Sequence, residues 1–150
     1  MSIEENVQTV KDFFAAMGGS DREHLLALAA DDIEWIIPGE HWPLAGTHRG
    51  HGGSADLLQR ASEDVETSVM EFHDYVAQGD RVLVVGFAQG KIKATNKAWK
   101  DDWVFAITIR NGKLTNIREY VDTQALAWAS KPDADPTPSS IDNGAAQRAS

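Results

Sequence analysis

The segment that decides the fold runs from Lys97 to Asp122 and reads KAWKDDWVFAITIRNGKLTNIREYVD. Two strand-like runs, Lys97–Arg110 and Leu114–Asp122, flank the pair Asn111-Gly112. Both turn residues tolerate positive φ, so the pair is a strong signal for a two-residue hairpin. Working backwards, Arg81–Lys93 and Thr67–Ala77 have the same strand character, with Gly79-Asp80 as the turn between them. Alternation puts Met70, Phe72 and Val76 on one side of the first of these strands. Gly86 and Gly90 fall inside a strand pattern and mark places where a sheet can bend. A short helix, about Thr123–Ser130, follows the last strand.

The N-terminal part has a different period. Ile3, Val7, Val10, Phe14 and Met17 recur at three- and four-residue steps, which predicts an amphipathic helix. Ser2 and Glu5 have capping-box spacing, and Gly18-Gly19 is a helix stop. Ser20 and Glu23 repeat that spacing before a shorter helix carrying Leu25, Leu26 and Leu28. Asp31–Ile37 is a short strand with Ile33, Trp35 and Ile37 on one face, and Pro38-Gly39 ends it. Glu40–Gly53 reads as a long loop containing Trp42 and Leu44, and Ser54–Ser62 as a third helix with Leu57 and Leu58 facing inward. Helices first, then hairpin-linked strands, is an α+β order and not an alternating βαβ one. The expected architecture is a curved antiparallel sheet wrapped around the N-terminal helices with a central pocket. Residues 1–130 form one domain, and residues 131–150, with Pro132, Pro136 and Pro138, read as a flexible tail.

Composition narrows the function. A chain of 150 residues supports one domain. Its 14 Lys and Arg against 23 Asp and Glu, a formal charge of −9, argue against nucleic acid and against an anionic membrane surface as partners. No apolar run is long enough for a membrane span. The chain has no Cys, which excludes disulfides, thiolate metal sites and a cysteine nucleophile. The acidic start Met1-Ser2-Ile3-Glu4-Glu5 lacks a signal pattern, so a cytoplasmic location is expected. Walker, dinucleotide-fingerprint and Ser-His-Asp signatures are absent.

Five fragments then carry a resemblance: Trp35-x-x-Pro38-Gly39, Ala45-Gly46-x-x-x-Gly50, Asp80-x-Val82, Asn111-Gly112-Lys113 and Arg118-Glu119-Tyr120-x-Asp122-Thr123. Together, over roughly residues 3–130, the chain resembles the SnoaL-like branch of the nuclear transport factor 2-like superfamily, which includes ketosteroid isomerase, a polyketide cyclase and limonene epoxide hydrolase. The resemblance implies a cone-shaped sheet around helices, a deep pocket and a homodimer. It also implies that Asp122, closing the motif, faces the pocket as a general base. A carboxylate in an apolar cavity loses solvation, and its pKa rises towards neutrality. Tyr120, two residues away, would donate to a developing enolate, and Arg118 would orient Asp122 or bind an anionic group. The competing reading makes Asp122 the N-cap of the following helix.

Phe14, Met17, Trp35, Trp103 and Phe105 are the expected wall of an aromatic pocket for a flat, hydrophobic small molecule. His48 is a further pocket candidate. His41, His48 and His51 share one loop, but their spacing fits no metal-ligand pattern, and no metal is expected. If Trp103 faces the pocket, Asp101 shares its side and would pair with Asp122. Trp42 and Leu44 read as lid, rim or interface residues, and Trp99 and Trp128 as packing or interface residues. The family comparison also has gaps. Phe87-Ala88-Gln89-Gly90-Lys91 lacks the Arg-x-Asp pair of the epoxide hydrolase, and Phe13-Phe14 stands where the ketosteroid isomerase has a tyrosine. The expected function is a cofactor-independent enzyme of cyclase or isomerase type acting on a hydrophobic carbonyl substrate. The alternatives are a non-catalytic small-molecule-binding protein or a dimerisation module. The outer face Val104, Ala106 and Thr108 would bury the dimer contact.

Overall fold

The computed structural model describes residues 2–133, so residues 134–150 of the expected tail lie outside the described residues. The order is α1 (Ile3–Gly18), α2 (Arg22–Ala27), β1 (Ala29–Ile37), β2 (Gly46–Arg49), α3 (Gly50–Asp64), β3 (Val65–Gln78), β4 (Arg81–Ile92), β5 (Ala98–Arg110), β6 (Lys113–Tyr120) and α4 (Thr123–Ser130). The capping box forms at α1: the Glu5 N–H donates to Ser2 Oγ at 3.0 Å, and the Ser2 N–H donates to Glu5 Oε1 at 2.8 Å. The second expected box does not form. Ser20 takes a positive φ of 56° in the turn, and Asp21 caps α2 by accepting the His24 N–H. Asn111 and Gly112, with φ of 52° and 75°, make the β5–β6 turn. Among the described residues no helix is long and apolar enough to cross a membrane.

The six strands form one sheet in the order β2-β1-β6-β5-β4-β3. The expected α+β architecture of helices on an antiparallel sheet holds, with one addition: β1 pairs with β6 in parallel, while all other neighbours are antiparallel. The loop expected over Glu40–Gly53 contains β2, a strand of polar, mostly exposed residues that pairs with β1. In the antiparallel ladders three extra residues interrupt the pairing. Ser68 and His73 on β3 lie unpaired beside Gly90 and Gly86 of β4, and Thr115 on β6 is passed over opposite Thr108–Ile109. Each such residue reverses the alternation beyond it. Met70 and Phe72 therefore pair with inward Ala88 and Gly86, whereas Val76 pairs with outward Leu83, against the expectation that the three share a face.

The concave face packs on α1. Val10, Phe13 and Phe14 are buried there, with Phe13 5.5 Å from the Trp35 ring and Phe14 5.1 Å from Phe105. Gly86 makes this possible: a Cβ at that position would collide with the Glu71 carbonyl and with the Trp103 ring, which lies against the β4 backbone. Burying these rings packs α1 against the sheet. It leaves a hollow between α1, α3, β3 and the inner ends of β5 and β6.

Candidate active site

The site begins with the bulge in β6. Leu114 pairs with Ile109, but past Thr115 the alternation is reversed, so Asn116 pairs with Thr108 and Glu119 with Phe105. Ile117 and Glu119 thus face the interior, and Arg118 and Tyr120 face out. Glu119 accepts a hydrogen bond from Trp35 Nε1 at 2.9 Å on Oε1. The surface Glu119 keeps fronts a cavity of about 140 Å³, also lined by Trp35, Trp42, Trp99, Trp103, Phe105 and Asp101. Among the described residues, Asp101 and Glu119 are the only charged side chains on that wall, and Thr67 adds a hydroxyl. The cavity adjoins a wider hollow of about 570 Å³, shared through Met17, Ala61, Val65, Thr67 and Met70, and rimmed by Ser20, Arg22 and Ser62.

Asp101 is 5% exposed. Its Oδ1 accepts the Asp122 backbone N–H at 2.6 Å, tying β5 to the start of α4. Desolvation raises its pKa to about 6, opposed by that hydrogen bond and helped by the charges of Asp122 and Asp102. Desolvation likewise raises Glu119 to about 7; the Trp35 hydrogen bond opposes the rise and the charge on Asp101 adds to it. Burial thus raises two carboxyls on one mainly apolar wall towards neutrality, the range in which a carboxyl can both take and give a proton at neutral pH.

The sequence-expected residues divide. Met17, Trp35, Trp103 and Phe105 line the cavity, and Phe14 lines the adjoining hollow. Asp122 does not reach it: the residue is exposed, and its carboxylate caps α4 by accepting the Ala125 N–H at 3.0 Å. That corrects its expected orientation, and the capping reading describes what the side chain does. Tyr120 is 45% exposed and Arg118 is exposed, both on the outer face, because the Thr115 bulge reverses the alternation. Asp101 shares the side of Trp103, but meets Asp122 through the backbone amide and not carboxyl to carboxyl. His48 is half-buried with Nε2 2.8 Å from the Leu44 carbonyl, outside the cavity lining. His51 Nε2 lies 2.9 Å from the Ala29 carbonyl, and among the described residues no three His, Cys, Asp or Glu converge on a metal site. Trp42 and Leu44 are buried wall residues, and Trp99 joins them. Glu119 is the residue that sequence reasoning passed over. Its signal was its place between Ile117 and Val121 on the apolar side of the strand.

A family model described as the SnoaL-like domain matches residues 10–117. No curated protein matches the chain. Among solved structures, an NTF2-like protein from Burkholderia xenovorans LB400 is 66% identical with a TM-score of 0.82, over 87% of this chain and 99% of that one. An NTF2-like protein from Burkholderia thailandensis E264 is 26% identical with a TM-score of 0.78, over 88% and 100%. TerC, co-crystallised with polyporic acid, is 26% identical with a TM-score of 0.72, over 83% and 97%.

Proposed function

The chain belongs to the SnoaL-like domain family, and on that premise we propose that its inner cavity is the active site of a cofactor-independent enzyme of isomerase or cyclase type. Glu119 and Asp101 replace Asp122 as the groups that move protons on a hydrophobic carbonyl substrate. The observation that carries this reading is Glu119, hydrogen-bonded by the Trp35 indole at the wall of a mainly apolar, aromatic cavity that also holds Asp101. With Glu119 near 7, about half of it is ionised at neutral pH. The ionised carboxylate takes a proton from the carbon beside a carbonyl, and that C–H electron pair moves onto the carbonyl oxygen as an enolate. For isomerisation, the protonated carboxyl returns its proton to a different carbon. For cyclisation, the enolate carbon bonds to a second carbonyl carbon of the same molecule, and that oxygen takes the proton. The negative charge of Asp101 favours the protonated form of Glu119 between the two steps.

The test is deuterium incorporation from D₂O into a panel of cyclic ketones, followed by proton NMR. The unaltered protein is expected to catalyse exchange, Glu119→Gln to lose about 100-fold or more, and Asp122→Asn to keep it. Exchange that survives Glu119→Gln, or that disappears in Asp122→Asn, would overturn the assignment. Ligands that bind in the cavity but never exchange would instead favour a binding protein. The homodimer belongs to the same proposal, through an outer sheet face on which Val76, Leu83 and Tyr120 are 58%, 37% and 45% exposed.

A further inference from the structure

The inner cavity and the hollow that adjoins it carry charges of opposite sign. Asp101 and Glu119 line the first. Among the described residues, Arg22 is the one charged side chain lining the second, a space of about 570 Å³. Arg22 is the first residue of α2 and is half-buried. In a chain of formal charge −9 it forms no ion pair among the described residues. Its Nη1 donates to Gln59 Oε1 at 2.8 Å, and Gln59 Nε2 in turn donates to Glu63 Oε2 at 2.8 Å. The second bond sets the Gln59 amide with its oxygen towards the guanidinium. A neutral partner thus holds Arg22 in place without cancelling its charge, and the other N–H donors of the guanidinium stay available. The surrounding wall is mainly apolar, with Phe14, Leu25, Leu58 and Phe72, so a charge-assisted hydrogen bond made there is worth more than one made in open water.

We propose that the outer hollow is a binding site for a carboxylate carried by a ligand whose apolar body runs on into the inner cavity, and that Arg22, positioned by Gln59, selects it. The inference rests on the acid–base reading above and adds the end of the substrate remote from the chemistry. The charges set the orientation. Turned round, the same ligand would put its anion beside two buried carboxyl groups. An ammonium group in the outer hollow would meet Arg22 as a like charge, and a neutral group would draw nothing from its positive charge. The guanidinium fork matches a carboxylate with two parallel bonds. Binding energy gained at this remote end holds the reacting end in place.

γ-Benzoylbutyric acid and its methyl ester share a phenyl ketone body and differ in charge at the far end. Each is titrated at neutral pH into the protein, with tryptophan fluorescence as the signal. The acid is expected to bind about tenfold more tightly than the ester, the worth of one charge-assisted hydrogen bond. Arg22→Gln should remove that preference, and Arg22→Lys, which keeps the charge and loses the fork, should keep part of it. Gln59→Glu, which gives Arg22 a carboxylate partner within the chain, should cut it as well. An acid bound no better than its ester, a preference unchanged in Arg22→Gln, or no binding of either compound would each overturn the proposal. If Arg22→Gln fails to fold, Gln59→Glu decides, and a preference that it leaves intact overturns the proposal too. Exchange of the ketone's α-protons in D₂O, read on the same samples, keeps the two readings apart. Exchange undiminished in Glu119→Gln sinks the acid–base pair and leaves Arg22 standing. Glu119-dependent exchange of both compounds, bound with equal affinity, does the reverse.

Discussion

Glu119 and Asp101 titrate near 4.5 and 3.8 as free side chains, and near 7 and 6 in the fold, mainly because burial penalises their charge. Between those values the folded chain binds more protons than the unfolded one, so stability falls as pH rises from about 4 to about 7 and then levels. Glu119→Gln keeps an oxygen for the Trp35 N–H and removes the buried charge. Urea unfolding should find it more stable than the unaltered chain at pH 8, by about 1–3 kcal/mol, and equal to it at pH 4. Asp122 behaves oppositely, because its carboxylate serves the helix behind it. Asp122→Ala should lose about 1 kcal/mol, and Asp122→Asn very little, since Asn caps as well as Asp does. An Asp immediately before an apolar helix is a capping signal, and that much was legible in the sequence. The family resemblance drew the reading towards Asp122 as a base, and the apolar company of Glu119 was the sounder local clue.

The hairpin at Asn111-Gly112, the α1 cap and the order of every element except β2 were legible, because each depends on residues close together in sequence. The parallel pairing of β1 with β6 was not, since strict alternation says which side faces in but nothing about which distant strand lies alongside. β2 was hidden for a related reason: its residues are polar and take strand form only through β1. The unpaired residue of β6 is what hid the site. After Leu114, unbroken alternation sends Tyr120 inward and Glu119 outward, and the single extra residue at Thr115 exchanges them. Gly86 shows how tightly the bent region is built. Gly86→Ala would push a methyl group against the β3 backbone and the Trp103 ring, costing about 1–3 kcal/mol. Urea midpoints should register that loss, together with weaker binding of any ligand seated against Trp103.

At the level of the whole molecule, the aromatic interior and the outer sheet face divide the work: one forms the cavity, the other an apolar surface. Light scattering is expected to give twice the chain mass of 16.4 kDa. Leu83→Lys, on the exposed face, should shift it towards the single-chain value without altering the cavity. A mass of one chain for the unaltered protein would remove the dimer and leave the pocket untouched. Both depend less than the chemistry does on one point, that the Glu119 carboxyl is desolvated at the wall of the cavity, and this can be read directly. The carboxyl carbon of Glu119, followed by ¹³C NMR and assigned with Glu119→Gln, should titrate with a midpoint near 7. A midpoint near 4.5, the value of an ordinary solvated glutamate, would contradict the acid–base site outright.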